Sequence, residues 1–391
     1  MRAIICGDVH IGAIFGLGGP NGSGGNTRVD DYSNSFNYII DHAINSDADI
    51  FIQTGDLFES RNPAPEYIAI ANKALKRLSD ANIATFVIMG NHDYIRGDGG
   101  FTSAISGMAA SEYPNVRMIL EPEVVTFKNS KNEATNIILL PFRDRKMYSE
   151  HGKTCREQSH AYNSEIKKII SSIKNEHPTI SIGHNFFYEG SYNDYGGSEL
   201  MVDPDAFTGT DLAIMGHIHS FSVLRKKPPV CVYSGSMEKT NFGDANIDKY
   251  FIDYDILDKK IKFKKTPVRS LIDAVIDITG DDFSTCKESL KTIIESLGVR
   301  GKIVRVKISV KEAVMPAIDK IFVKKYLYDN GAHFVSKIII EPVINRVVRD
   351  SEILNHSNDY EMFEAFIESQ AFDSGILKSI QKEGRKIIEG K

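Results

Sequence analysis

Cysteine is scarce in this chain: four residues, Cys6, Cys155, Cys231 and Cys286, stand among 391. Their wide spacing excludes the disulfide framework that staples small secreted domains. Cys6 and Cys231 sit in apolar, strand-like runs, where a free thiol packs as a small hydrophobe. Long apolar runs are missing too, and none approaches the roughly 18 residues of a membrane-spanning helix. Met1-Arg2-Ala3 leads straight into a strand pattern, with no charged-then-apolar leader. The expectation is a soluble, cytoplasmic protein with no membrane partner. Positive charge is not in surplus: the net charge is −5 with 25% charged residues. That leaves any nucleic-acid contact to local patches.

What is present is a series of polar residues placed after apolar runs. Gly7-Asp8-Val9-His10, Gly55-Asp56, Gly90-Asn91-His92-Asp93, Gly183-His184 and Gly216-His217-Ile218-His219 each follow a run that reads as a β-strand, at residues 3–6, 50–53, 85–89, 179–182 and 212–215. Five strand ends then share one rim, and the crevice beyond the carboxyl ends of strands is where open α/β sheets bind ligands. Carboxylate, imidazole and amide oxygen suit manganese, zinc, iron or similar divalent ions. The lack of cysteine among them argues for open coordination positions rather than a closed structural zinc site. A histidine at one strand end is, by itself, more often a hydrogen-bonded structural residue than a ligand. Five motifs in order are a different matter.

That order resembles the calcineurin-like metallophosphoesterase superfamily across residues 1–245. The resemblance implies an α/β fold, a β-sandwich flanked by helices. It also implies two divalent metal ions, with manganese expected. Asp8, His10, Asp56 and His219 would hold one ion, and Asp56, Asn91, His184 and His217 the other, so that Asp56 bridges. By the same resemblance His92 faces the substrate, binding phosphate and protonating the leaving group. Asp93 either orients His92 or caps backbone amides in its turn.

At 391 residues with 42% hydrophobic content, the chain has room for two or three units with real cores. Helical patterns at residues 32–45, 66–81, 102–110 and 156–176 alternate with strands. From residue 221 short strands follow at 222–225, 230–233, 250–255 and 260–265. Residues 16–28 hold six glycines and a proline and read as a flexible loop that buries nothing, either a flap over the site or a passive insertion. A separate α/β module is expected from residue 267, with strands at 271–278, 303–310 and 334–341 and helices at 284–297 and 316–329. In the tail, Met362, Phe363, Phe366 and Ile367, then Ile376, Leu377, Ile380, Ile387 and Ile388, give amphipathic helices whose stripe must be buried against something.

Within the superfamily, the segment Gly235-Ser236 with Phe242-Gly243-Asp244 resembles the signature that follows the last metal motif in SbcD-type double-strand-break repair nucleases. This implies a nuclease domain at 1–266, a capping, DNA-binding domain at 267–345 and a helical tail at 346–391 that docks on an SMC-like ABC ATPase. It further implies a likeness in activity, a DNA exonuclease with endonuclease capacity, working as a homodimer near the nucleoid or in a host cytoplasm if viral. Helix 66–81 or 102–110 would serve the dimer if it exposed an apolar patch. Two segments are candidates for phosphate contact: Lys259, Lys260, Lys262, Lys264, Lys265 and Arg269, and then Arg143, Arg145, Lys146 and Tyr148. Phe186, Phe187, Tyr188, Tyr192 and Tyr195 are candidates for base stacking. The chain departs from the family at Glu59, where many members carry histidine. A stand-alone metallophosphatase or cyclic-nucleotide phosphodiesterase accounts for the five motifs equally well but leaves module and tail without a task. A non-cutting scaffold for the ATPase is the third reading.

Overall fold

The computed structural model describes residues 1–97, 100–108, 113–148, 154–174, 176–187, 199–278, 282–342, 359–368 and 374–388. Two six-stranded sheets dominate. The first runs Lys260–Lys265, Tyr250–Asp255, Arg2–Cys6, Ile50–Gln53, Ala84–Ile88, Val116–Ile119 in spatial order. The second runs Ser222–Arg225, Val230–Tyr233, Leu212–Met215, Thr179–Gly183, Ala134–Leu140, Glu123–Lys128.

Side-chain alternation explains why the strands read as unbroken apolar runs. Along Arg2–Cys6, Ala3 and Ile5 enter the layer between the sheets, where they meet Ile52, Ile88, Ile182 and Ile214. Ile4 and Cys6 point the other way, into the layer under helices Thr27–Asn45 and Pro65–Asp80, with Phe36, Ile39 and Leu75. Helix Cys155–Ser171 covers the far face of the second sheet through Tyr162, Ile166 and Ile170. The result is four layers, helix on sheet on sheet on helix, each inner strand buried on both faces. Full burial of one such isoleucine stabilises by about 1.5–3 kcal/mol. The central strands of each sheet are parallel, so their carboxyl ends open on one side.

Helix 102–110 is corrected. Gly100–Ser103 is instead a strand paired with Tyr94–Gly97, and only Ala104–Met108 is helical. On Pro65–Asp80 the residues Tyr67, Ile68 and Ile70 lie half-buried against the helix-side core. None of them is among the large apolar side chains exposed in the described residues.

Leu271–Asp277, Ile303–Val310 and Phe334–Pro342 form a parallel three-stranded sheet. Helices Phe283–Ser296 and Lys320–Asp329 join it around a core of their own, with Ile276, Leu290, Ile294, Val306, Ile308 and Leu327. The helix expected at 316–329 begins later, because Pro316 forms part of a short 3-10 turn and the Asp319 side chain caps the Ile321 amide.

The glycine-rich segment is also corrected. Leu17 is buried with Phe242, Leu271 and Ile303, and Ser336 Oγ donates to the Gly16 carbonyl at 2.8 Å. Asn21 Oδ1 accepts from Gly25 N at 2.7 Å, folding the tip onto itself. At its end Arg28 is fully buried, paired with Asp31 and Glu238 at 3.1 Å each and donating to the Lys239 carbonyl. The segment is therefore a strap that lies against the three-stranded module, with glycines at its tip and apolar and ionic anchors at its ends.

In the tail, helices Asp359–Glu368 and Ser374–Ile388 pack on each other, with the Phe363 ring so close to Gly384 that any Cβ there would clash. Ile367 is buried and Ile387 is exposed. The Phe366 and Ile376 side chains lie outside the described residues. Among the described residues no helix is long and apolar enough to cross a membrane.

Candidate metal centre

The loops after the first two parallel strands are zipped together by their backbones. Val9 N and His10 N both donate to the Asp56 carbonyl at 3.0 Å, and Ile11 N donates to that of Leu57 at 3.0 Å. Such a fit demands unusual backbone. His10, Asp56 and His217 all have left-handed φ, of 48°, 56° and 84°, a conformation that favours glycine. Gly90 carries no side chain because a Cβ there would lie 2.1 Å from Asp56 Oδ1.

All eight residues singled out from the sequence converge on this rim. His10 Nε2 faces His219 Nε2 at 3.0 Å. Asn91 Oδ1 lies 2.9 Å from His184 Nε2 and 2.8 Å from His217 Nδ1. Asp56 Oδ2 stands between the two groups, 3.3 Å from His184 Nε2 and 3.7 Å from His10 Nε2. Asp8 Oδ1 accepts from His217 N at 3.0 Å, whereas its Oδ2 is buried with no hydrogen-bond partner. Two imidazole nitrogens pointed at one another, an amide oxygen shared by two more and an orphaned carboxylate oxygen form a donor set that fits divalent cations.

The electrostatics favour a positive guest. Burial opposes charge on His184, but Asp56, Asp8 and the Thr54 carbonyl outweigh it and push its pKa up to about 9. His10 is also raised: burial again opposes, and Glu59, Asp56 and Asp8 prevail. Asp56 moves down, since the neighbouring histidines overcome its burial. His219 falls to about 4 through burial and the adjacent His10 charge. A metal ion must displace the His184 proton, so affinity rises with pH while that proton is still bound. Manganese titrations of the metal-free protein should show Kd falling as pH rises towards about 9, by about tenfold per pH unit for each histidine proton displaced, then levelling. A flat profile over that window would contradict this account.

His92 occupies the half-exposed lip. Its backbone N–H donates to Asp56 Oδ1 at 2.8 Å, and its Nδ1 lies 2.8 Å from the Glu59 carbonyl. A carbonyl only accepts, so Nδ1 carries the proton and Nε2 is the free nitrogen. Asp93 turns away from His92. Its carboxylate accepts from Leu57 N and Phe58 N at 3.1 Å and from Gly90 N at 3.0 Å. Of the two expectations for Asp93, the backbone cap holds. Burial and the Asp56 charge push its pKa up to about 6 despite those donors.

Sequence reasoning missed two residues. Lys249, fully buried, donates from Nζ to the His219 carbonyl at 3.1 Å and Ser236 Oγ at 3.0 Å, and pairs with Asp244 at 3.2 Å. It thereby joins both ends of the Gly-Ser…Phe-x-acid segment to the last metal motif. Its only sequence signal is a lysine just before an apolar strand, five residues after Asp244. Glu199 places Oε2 3.1 Å from His217 Nε2, and nothing local announces it.

The basic segments are less free than their composition implies. Lys259 pairs with Asp211 at 2.6 Å, Lys260 with Asp258 at 2.9 Å, Lys265 with Asp248 at 2.6 Å and Arg269 with Asp31 at 2.6 Å. Arg143 pairs with Glu121. Of the aromatics, Phe186 stands edge-on to His217 with centroids 4.2 Å apart, and Phe187 packs against Phe207 and Tyr233. Tyr188, Tyr192 and Tyr195 lie outside the described residues.

A family model described as calcineurin-like phosphoesterase matches residues 1–221. The uncharacterized metallophosphoesterase YhaO of Bacillus subtilis is 22% identical over 284 residues, 68% of this chain and 63% of that protein. The DNA double-strand break repair protein Mre11 of Saccharolobus solfataricus is 39% identical over 66 residues, 17% of each chain. The SbcD component of the SbcCD nuclease of Staphylococcus epidermidis is 22% identical over 302 residues, 74% of this chain and 75% of that one. The match thus spans less than two thirds of the length of the first two of these relatives.

Proposed function

The chain belongs to the calcineurin-like phosphoesterase family, and on that premise we propose that it is a two-metal DNA phosphodiesterase, an exonuclease with endonuclease capacity, acting in DNA end processing. The observation that carries the hydrolytic part is Asp56 Oδ2 lying between His10 and the His184–Asn91–His217 group. The DNA part is supported by the match to the SbcD component of the SbcCD nuclease, which extends over three quarters of that protein, and by the separate module with its own core.

Asp8, His10, Asp56 and His219 would hold one ion, and Asp56, Asn91, His184 and His217 the second. Manganese is the expected metal. When bound, the ions neutralise charge on the phosphoryl oxygens and lower the pKa of water. The protein's own groups do the rest. His92, anchored through Nδ1 on the Glu59 carbonyl, presents Nε2 to the phosphate; as the imidazolium, with both nitrogens protonated, it passes the Nε2 proton to the leaving oxygen and keeps the one on Nδ1. Asp93 holds the turn that carries His92, and Lys249 fixes the main chain at His219.

In the same reading, residues 1–266 cut, 267–345 contact DNA as a cap and 346–391 dock on an SMC-like ABC ATPase. A homodimer through Pro65–Asp80 would use the accessible parts of Tyr67, Ile68 and Ile70. The ion pairs of Lys259, Lys265 and Arg269 favour one competitor, a stand-alone phosphatase for small phosphoesters. Purified protein with manganese, given a labelled linear duplex and para-nitrophenyl phosphate, separates the two. The nuclease should degrade the duplex and leave the monoester nearly untouched. Efficient monoester cleavage beside intact DNA would establish the phosphatase.

A further inference from the structure

An imidazole that binds a cation through one nitrogen carries its proton on the other, and the group facing that proton sets the ring's orientation and basicity. At His184 the outer nitrogen meets a neutral acceptor, the Thr54 carbonyl, at 2.9 Å. Two other histidines of the centre have a carboxylate within ion-pair distance of the outer nitrogen, without hydrogen-bond geometry at Glu59 Oε2 or Glu199 Oε2. His10 turns Nε2 inward, 3.0 Å from His219 Nε2, and its Nδ1 lies 2.8 Å from Glu59 Oε2. His217 turns Nδ1 inward onto Asn91 Oδ1, and its Nε2 lies 3.1 Å from Glu199 Oε2. His10 belongs to one donor group and His217 to the other, so each group has one carboxylate-backed imidazole.

We propose that Glu59 and Glu199 are positioning residues that each fix the tautomer and ring orientation of one histidine, one for each metal ion; this rests on the two-metal reading above. Both are built into the fold rather than left on solvated arms. Glu59 directly follows the fully buried pair Leu57 and Phe58, and its amide donates to the Ile11 carbonyl at 3.1 Å. Its own carbonyl receives His92 Nδ1, so one residue aligns a metal ligand with its side chain and the phosphate-facing histidine with its backbone. Glu199 precedes the fully buried Leu200, and its carbonyl accepts from Cys155 Sγ at 3.2 Å. Glu59 meets His10 at Nδ1, the nitrogen other than the one that faces His219, although its carboxylate also lies close enough to His10 and His92 to share an ion with them. A carboxylate at position 59 is therefore spent on His10 and is not a bare negative charge facing a phosphodiester.

The test is manganese binding to the full chain by calorimetry and by the electron paramagnetic resonance of the bound ion, before any assay of hydrolysis. Wild type should bind two ions. Glu59→Ala and Glu199→Ala should each weaken one of the two binding steps by about 10- to 100-fold, and the double variant both. Glu59→Gln and Glu199→Gln should recover part of the loss, because an amide oxygen still accepts the imidazole proton while lacking the charge. The glutamine forms also serve as readout should an alanine variant fail to fold. Two unaltered binding steps in folded variants would overturn the inference and leave the two-metal reading standing. Three ions in wild type falling to two in Glu59→Ala would overturn it by making Glu59 a ligand. Absence of manganese binding in wild type would instead remove the two-metal reading from which it starts.

Discussion

His92→Ala is expected to lower manganese-dependent phosphodiester turnover by about 100- to 10,000-fold, the range contributed by a positioned general acid, with two ions still bound. The separation follows from geometry. The His92 contribution to the Asp56 environment is its backbone N–H, at 2.8 Å from Oδ1, and alanine keeps that donor. What alanine removes is the ring on the half-exposed lip, whose Nδ1 is anchored by the Glu59 carbonyl. Turnover should fall through kcat rather than KM, and calorimetric manganese binding should match wild type. Loss of metal binding together with activity would show that the ring is a ligand and would overturn the role assigned to it.

The largest effect on stability is expected at Arg28. Its guanidinium is fully buried and divided among Asp31, Glu238 and the Lys239 carbonyl. Asp31 retains a second partner in Arg269. Glu238, also fully buried, would keep only Ser35 Oγ at 3.0 Å and the Lys239 amide at 2.8 Å. Removing one member of a buried pair costs about 3–5 kcal/mol, because the other is left charged in a poorly solvating interior. Arg28→Met should therefore lower the unfolding free energy by that amount, read as a lower urea midpoint at unchanged slope. Glu238→Leu added to it should restore part of the loss. A single substitution within about 0.5 kcal/mol of wild type would show that water reaches Glu238 after all.

Much of this protein is legible in its sequence for a specific reason. Strands buried on both faces leave uninterrupted apolar runs, and the polar residue that ends each run is a metal-binding candidate. The strands Ile50–Gln53, Leu212–Met215 and Ile303–Val310 fall on the residues that the apolar pattern marks. What the sequence hides depends on contacts across long separations. The glycines of the strap describe its tip correctly, but the fates of Leu17 and Arg28 are decided by Phe242, Leu271, Ile303 and Glu238. The pairing of Glu199 with His217, and that of Lys249 with the His219 carbonyl, are likewise made by the fold alone. In the basic segments, the carboxylates that pair with Lys259, Arg269 and Arg143 come from other elements, which composition does not reveal.

The left-handed backbone at His10, Asp56 and His217 bears on how such a protein is engineered. Holding a non-glycine residue there costs on the order of 1 kcal/mol or more, and three such positions lie within one cluster of loops. Glycine at any of them would relieve strain while deleting a donor atom. Directed evolution scored on heat resistance alone would thus be rewarded for erasing the chemistry, and a screen on this scaffold needs turnover in its selection from the first round.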